Sequence, residues 1–264
     1  MPEGDTVWRT AHHLHEAFAG TELTRTDFRV PRYATVDLVG HRVEEVVSRG
    51  KHLLMRTEAF TVHSHLKMEG AWHLYRRPRP RWRRPGHSAR AVLENDHWQA
   101  VGFSLGVLEV LPREREADVI GHLGPDLLAP DFDAALAADL VRRDRDRPIF
   151  LALLDQRNVA GFGNEYVNEL LFLRGLSPTR PVGEVPDVVE LIGLGQRLLS
   201  ANARQVDRSF GVESRVRRGG DDQRWVYGRA GRPCHRCGTA IGQGQLGDDP
   251  TRERVTFWCS RCQT

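Results

Sequence analysis

Two cysteine pairs, CHRC at 234–237 and CSRC at 259–262, constrain this chain more than any other feature. They hold its only four cysteines, Cys234, Cys237, Cys259 and Cys262, with 21 residues between the two pairs. That spacing lies just beyond the usual four-cysteine window for a tetrahedral zinc ion. Two disulfides are the alternative, but the N-terminus lacks the basic-then-apolar plan of a signal peptide, and zinc is the preferred reading. A tail this short cannot bury enough apolar surface to fold unaided, so metal binding would supply its stability, on the order of 10 kcal/mol or more. Four thiolates leave no open coordination position. One zinc here is therefore structural, and any chemistry must lie elsewhere.

The remaining 230 or so residues can bury one large core or two smaller ones. No stretch approaches the roughly 18 consecutive apolar residues of a membrane span, and a soluble, intracellular chain is expected. Of its 38 basic residues only Lys51 and Lys67 are lysines. Arginine replaces lysine as a charge but not as a compact point donor, which singles out the two survivors. Two runs, YRRPRPRWRRPGH at 75–87 and ESRVRRGG at 213–220, concentrate positive charge on Pro- or Gly-rich loops. Either alone is an ordinary solvated loop; together they point to a polyanionic partner.

Along the chain, Val7, Ala11, Leu14 and Phe18 recur at helical spacing before Gly20, predicting an amphipathic helix over 6–19. From there to about 112, seven short β-rich segments separated by turn residues predict a β-sandwich or barrel. A helical region follows. Pro148 is placed to open a helix through IFLALLDQRN, VAGFG forms a tight turn, and Asn164 is placed as the N-cap of a helix with Val167, Leu170 and Leu171 on its apolar face. Gly175 ends that helix, and a last one spans roughly 187–204. The expected organisation is α+β and multidomain: a β-sandwich with a leading helix over 1–115, an all-α domain over 116–228 and a cysteine hairpin over 229–264.

These segments in this order resemble the formamidopyrimidine-DNA glycosylase and endonuclease VIII family. The resemblance spans MPEG at the start, GKHLLM and HSHLKMEG in the β domain, LLDQRNVAGFGNEYVNELLF in the helical domain, and YGRAGRPCHRCG with RVTFWCSRCQ at the end. It implies a β-sandwich and a helix-two-turn-helix domain forming a clamp on DNA, with a zinc finger. It also implies a monomeric base-excision repair enzyme of the bacterial cytoplasm and nucleoid, acting on damaged DNA, duplex or single-stranded.

The resemblance assigns roles to individual residues. Once Met1 is removed, the secondary amine of Pro2 attacks C1′ of the damaged nucleotide, displaces the base and forms an iminium link. An α-amine titrates near ~8 and a lysine near ~10.4, so a terminal amine, allowing for proline's somewhat greater basicity, holds about a hundredfold more of the reactive neutral form. Glu3 becomes the acid–base residue, a role that needs a partly desolvated carboxyl. Lys51, His65, Asn164 and Arg254 match phosphate ligands, Lys51 beside the chemistry. Asn164 has independent support, because a helix start offers unpaired N–H groups to an anion. Met68 matches an intercalating side chain.

Two departures from the family pattern matter. Asp5 and Thr6 stand where a proline and a second glutamate are common, so Asp5 either takes over that carboxylate's part or leaves a protein with weak or lyase-only activity, a damage-binding clamp at the extreme. VGFSLG at 101–106 replaces the loop whose arginine reads the orphaned cytosine, leaving Phe103 or Leu105 near that place. Oxidised pyrimidines and abasic sites, the endonuclease VIII side of the family, are therefore the expected substrates.

Overall fold

The computed structural model describes residues 2–78, 81–211, 223–249, 251 and 253–264. Met1 and the basic run at 213–220 lie outside the described residues. The chain divides into two compact units, Met1–His122 and Leu123–Thr264.

The first unit begins with α1 (Gly4–Phe18) and continues through β1 (Arg25–Phe28), β2 (Val43–Arg49), β3 (His52–Thr57), β4 (Phe60–His65), β5 (Ala71–Arg76), β6 (Ala89–Glu94), β7 (Trp98–Phe103) and β8 (Val107–Pro112). All seven expected strands form. The eighth, β1, has no apolar alternation to announce it and is held by pairing with β6 at a sheet edge. Two antiparallel sheets result, ordered β1-β6-β7-β5 and β2-β3-β4-β8. Because side chains alternate faces along a strand, Leu53 and Met55 of β3, Val62 of β4 and Leu108 of β8 turn inward. There they share a core with Leu93, Ala100 and the predicted helix positions Val7, Ala11, Leu14 and Phe18.

The other face of β2-β3-β4-β8 is polar. Arg56 donates to Glu45 at 2.8 Å and to Glu116 at 2.9 Å, and Thr61 donates to Glu116 at 2.8 Å. Glu116 immediately precedes the short helix α2 (Ala117–Ile120), so the chain leaving β8 is tied across this face.

Helix α1 starts two residues earlier than the apolar spacing predicts. Glu3 is extended at φ −123° and accepts from Val7 N–H at 3.1 Å, the first helical bond. Glu3 is thus the N-cap residue and Asp5 lies in the first turn, where the positive helix end favours a carboxylate.

The second unit contains α3 (Ala134–Val141), α4 (Ile149–Leu154), α5 (Asn164–Arg174), α6 (Val188–Ala203) and the hairpin β9 (Gly242–Leu246) and β10 (Arg254–Trp258). Helix α4 opens one residue later than expected, with Pro148 as its N-cap rather than its first residue, and two further expectations change. Helix α4 stops at Leu154 rather than running to Asn158, because Asp155 turns extended and pairs with Arg157 at 2.7 Å and Arg147 at 3.0 Å. Those two guanidiniums, Arg157 foremost, hold the Asp155 carboxyl well below the usual range. Helix α5 is not amphipathic: every residue from Asn164 to Phe172 is buried, the mark of a central helix. It ends, as expected, at Gly175, whose φ of 69° is the left-handed conformation glycine adopts without strain. No helix among the described residues is long and apolar enough to cross a membrane.

Candidate functional site

The N-terminal part of the site is made by the burial of α1 on β2. Pro2 is half-buried, while Glu3 and Asp5 are both 0% exposed. Asp5 Oδ1 accepts from Thr6 N–H at 2.7 Å and from Thr6 Oγ1 at 3.2 Å. Pro2 and a desolvated carboxyl are therefore neighbours at the positive end of a helix.

The second part is a pair of turns at one end of β3 and β4. Gly50 and Lys51 form a two-residue hairpin turn between Arg49 and His52, with Gly50 at φ 58° in the first central position, where glycine is favoured. The β4–β5 turn closes through Gly70 N–H to Leu66 O at 2.9 Å; a Cβ at Gly70 would sit 2.4 Å from that oxygen, so glycine is required. The closed turn lifts Met68 into solvent, 66% exposed. His65 Nδ1 accepts from the Lys67 backbone N–H at 2.9 Å, which leaves the ring hydrogen on Nε2. Burial, then Lys67 and Lys51, push His65 down to about 4, so the ring is a neutral donor near neutrality. Lys51, His65 and Met68 thus share one region.

Phe103 and Leu105 do not reach this surface. Phe103 is 0% exposed, in a second small core with Tyr75, Val92 and Val101, and Leu105 is 8% exposed in the main core. Neither can stand in a nucleic-acid gap. Sequence reasoning failed here because an apolar loop residue looks the same whether it projects or packs.

In the second unit Asn164 is the first helical residue, not the N-cap; Gly163 is. Its side chain instead donates to Val255 O at 2.9 Å and accepts from Asn168 Nδ2 at 3.0 Å. Asn168 Oδ1 in turn accepts from Phe257 N–H at 2.6 Å. The two asparagines bolt β10 to α5 and so place Arg254, exposed at the start of β10. Asn168→Ala is expected to cost about 2 kcal/mol, since it strands a buried backbone N–H; a thermal melt checks it, and an unchanged midpoint refutes the bolt.

The sequence reading missed two acids on the same helix. Glu165 pairs with Arg208 at 2.7 Å and Arg224 at 2.8 Å. Glu169 accepts from the backbone N–H groups of Trp225, Val226 and Tyr227 at 2.7, 2.9 and 2.8 Å, while burial pushes its carboxyl up to about 7. The signal was available: polar pairs at 164/165 and 168/169, one turn apart in an apolar helix, rarely tolerate burial without partners.

The four cysteines converge. Their Sγ atoms all lie within 4.8 Å of one another, with Cys234 to Cys262 at 3.9 Å and Cys237 to Cys259 at 3.4 Å. A disulfide needs about 2.05 Å, so none is present and all four cysteines are free. Thiolates tetrahedral about a zinc at about 2.3 Å stand about 3.8 Å apart. The cluster fits a metal ion. Around it Phe172, Val226, Ile241 and Phe257 form a small core.

The fold and site together define a β-sandwich protein of the helix-two-turn-helix class with a four-cysteine hairpin. Residues 1–104 match the formamidopyrimidine-DNA glycosylase N-terminal domain and residues 123–188 the formamidopyrimidine-DNA glycosylase H2TH domain. The chain is 52% identical, over 100% of its length and 94% of the relative's, to a Streptomyces coelicolor protein named "Probable endonuclease 8 2". It is 49% identical to "DNA-(apurinic or apyrimidinic site) lyase Nei2" of Mycolicibacterium smegmatis, covering 100% and 99% of the two chains. The structure of Lactococcus lactis Fpg in complex with abasic-site DNA matches its fold with a TM-score of 0.79, at 24% identity and 100% coverage of both chains. The chain belongs to the formamidopyrimidine-DNA glycosylase and endonuclease VIII family.

Proposed function

We propose that this protein is a bifunctional DNA glycosylase and abasic-site lyase of base-excision repair, acting as a monomer on damaged DNA in the bacterial nucleoid. One observation carries the reading: Glu3, 0% exposed, directly follows Pro2 at the positive end of α1. With Met1 removed, the Pro2 nitrogen bonds to C1′ as the base departs with the C1′–N bond electrons. Glu3 protonates the sugar ring oxygen as the C1′–O4′ bond breaks and the Pro2 nitrogen lone pair closes the C1′=N⁺ iminium, and it then moves protons through β,δ-elimination. Each elimination breaks a C–O bond to phosphate and leaves a phosphate terminus.

Lys51 supplies a point charge and His65 a neutral Nε2–H to phosphates near the lesion, with Arg254 on a further one. Since the Asn164 side chain is engaged with Val255 and Asn168, its contribution is the backbone N–H at the start of α5, a natural anion seat. Met68 is the wedge that fills the space of the extruded nucleotide. Zinc held by Cys234, Cys237, Cys259 and Cys262 braces the hairpin that carries Arg254. The names of the relatives support the endonuclease VIII side, and so does the absence from VGFSLG at 101–106 of an arginine to read an orphaned cytosine. Oxidised pyrimidines and abasic sites, in duplex or single strands, are the substrates.

A second reading, a clamp with weak or lyase-only activity, is favoured by Asp5, which is buried and accepts from Thr6. Borohydride reduction of the protein mixed with abasic-site DNA separates an active enzyme from an inactive clamp, and the same reduction with base-lesion DNA separates bifunctional from lyase-only activity. The expected result is a covalent adduct on the peptide beginning at Pro2. An adduct on a lysine overturns the mechanism, and tight, salt-sensitive binding with no adduct supports the inactive clamp.

A further inference from the structure

Three imidazoles and a carboxylate line the polar face of β3, β4 and β8 beside the Lys51 turn. Strand register sets His52 opposite His65 and His63 opposite Glu109. His63 Nδ1 lies 2.8 Å from Glu109 Oε2, and His63 Nε2 lies 2.8 Å from His52 Nδ1. A carboxylate only accepts, so His63 carries its hydrogen on Nδ1. The bare Nε2 of a neutral His63 must then accept, so His52 donates from Nδ1 and keeps a lone pair on Nε2. His65 is set the other way, with Nδ1 accepting from Lys67 N–H and the hydrogen on Nε2. The two rings meet edge to face with centroids 5.1 Å apart. Neither Nε2 makes a hydrogen bond within the described residues.

The surface at this end of the sheet therefore offers one acceptor and one donor, with Lys51 and Lys67 beside them. An internal phosphodiester has acceptors only, and would set its oxygens against the His52 lone pair. A terminal phosphate monoester, whose second ionisation lies near pH ~6, carries both O⁻ and O–H. We propose that Glu109 and His63 are positioning residues that set His52 and His65 as an acceptor–donor pair for a terminal phosphate monoester. The proposal rests on the lyase reading for the source of that terminus. The monoester O–H donates to His52 Nε2 and a P–O⁻ oxygen accepts from His65 Nε2–H. Above the second ionisation, binding requires uptake of one proton, shared between the phosphate and His52. Burial, then His63, His65, His122 and Lys67, push His52 down to about 3, in keeping with a neutral ring at the start.

The test compares gapped duplexes whose margins end in phosphate with the same duplexes ending in hydroxyl, at fixed ionic strength from about pH 5.5 to about pH 8, a range that spans the second ionisation. The wild-type protein is expected to favour phosphate by about tenfold at the acid end, the worth of one hydrogen bond to a charged group, and the ratio falls as pH rises. Lysine charge alone gives the opposite slope, because the monoester gains negative charge with pH. His52→Phe is expected to reverse the slope. Glu109→Leu does the same, since His63 loses its acceptor and the relay inverts, whereas Glu109→Gln keeps an acceptor oxygen and the wild-type slope. His122, whose ring lies 6.2 Å from His52, is the other imidazole facing it; His122→Gln keeps the slope.

A wild-type ratio that rises with pH overturns the proposal. So does a falling slope that survives His52→Phe, including the case where both affinities drop together as for mere destabilisation, and so does loss of the slope in His122→Gln. The gapped duplexes need no chemistry. If the falling, His52-dependent slope holds and borohydride traps nothing, the subsite stands and the lyase reading fails; a Pro2 adduct with a rising slope gives the reverse.

Discussion

Glu3→Gln is expected to slow base release and strand cleavage by about 10²- to 10⁴-fold, the usual share of a positioned acid–base group, while DNA affinity changes only a few-fold. Glutamine has the same shape, so the packing of α1 on β2 and the N-cap geometry survive. What is lost is a group able to give a proton to the sugar ring oxygen and take one back. Glu3 is 0% exposed, so water has little access to substitute for it. Single-turnover rates on abasic and base-lesion duplexes, set beside dissociation constants from fluorescence anisotropy, make the comparison. Equal losses in rate and affinity would remove Glu3 from the chemistry and reduce it to a helix cap.

Removal of the metal is the second large effect. A four-thiolate site contributes on the order of 10 kcal/mol to a small fold, and here the cluster is continuous with the core around Phe172, Val226, Ile241 and Phe257. Without metal, four thiols crowd within 4.8 Å with no cation to balance them as thiolates. The hairpin should open, breaking the bonds from Asn164 to Val255 O and from Phe257 N–H to Asn168. Arg254 then loses its fixed position. Chelator-treated protein is expected to lose at least about a hundredfold in strand cleavage, as two or more fixed phosphate contacts go, and to regain it with one equivalent of zinc. Metal analysis should find one zinc per chain. Metal-free protein that melts and cleaves like the holoprotein would show the cluster to be dispensable.

The residues that were legible in advance are those whose role is local. Strand alternation predicted seven of eight strands, and the missing one, Arg25–Phe28, is a strand only because β6 pairs with it. The Cys-x-x-Cys spacing predicted convergence of the four thiols, because each pair is a short turn and a hairpin closes the distance. Helix ends were less secure. Glu3 and Gly163 took the cap positions, ahead of the residues the spacing pointed to, and neither caps through a side-chain hydrogen bond, so no local cap signal marked them.

By itself the sequence determined a β-sandwich or barrel followed by a run of helices, the cysteine cluster and the placing of Pro2 beside Glu3, since each follows from periodicity, spacing or adjacency along the chain. The sandwich and the helix-two-turn-helix were implied by the family resemblance. Tertiary structure alone decided that Glu3 and Asp5 are desolvated, that Phe103 and Leu105 are core residues, that Asn164 and Asn168 anchor a strand, and that His63 and Glu109 orient His52. The reason is that desolvation and hydrogen-bond direction belong to neighbours brought from tens of residues away, and no local pattern encodes them.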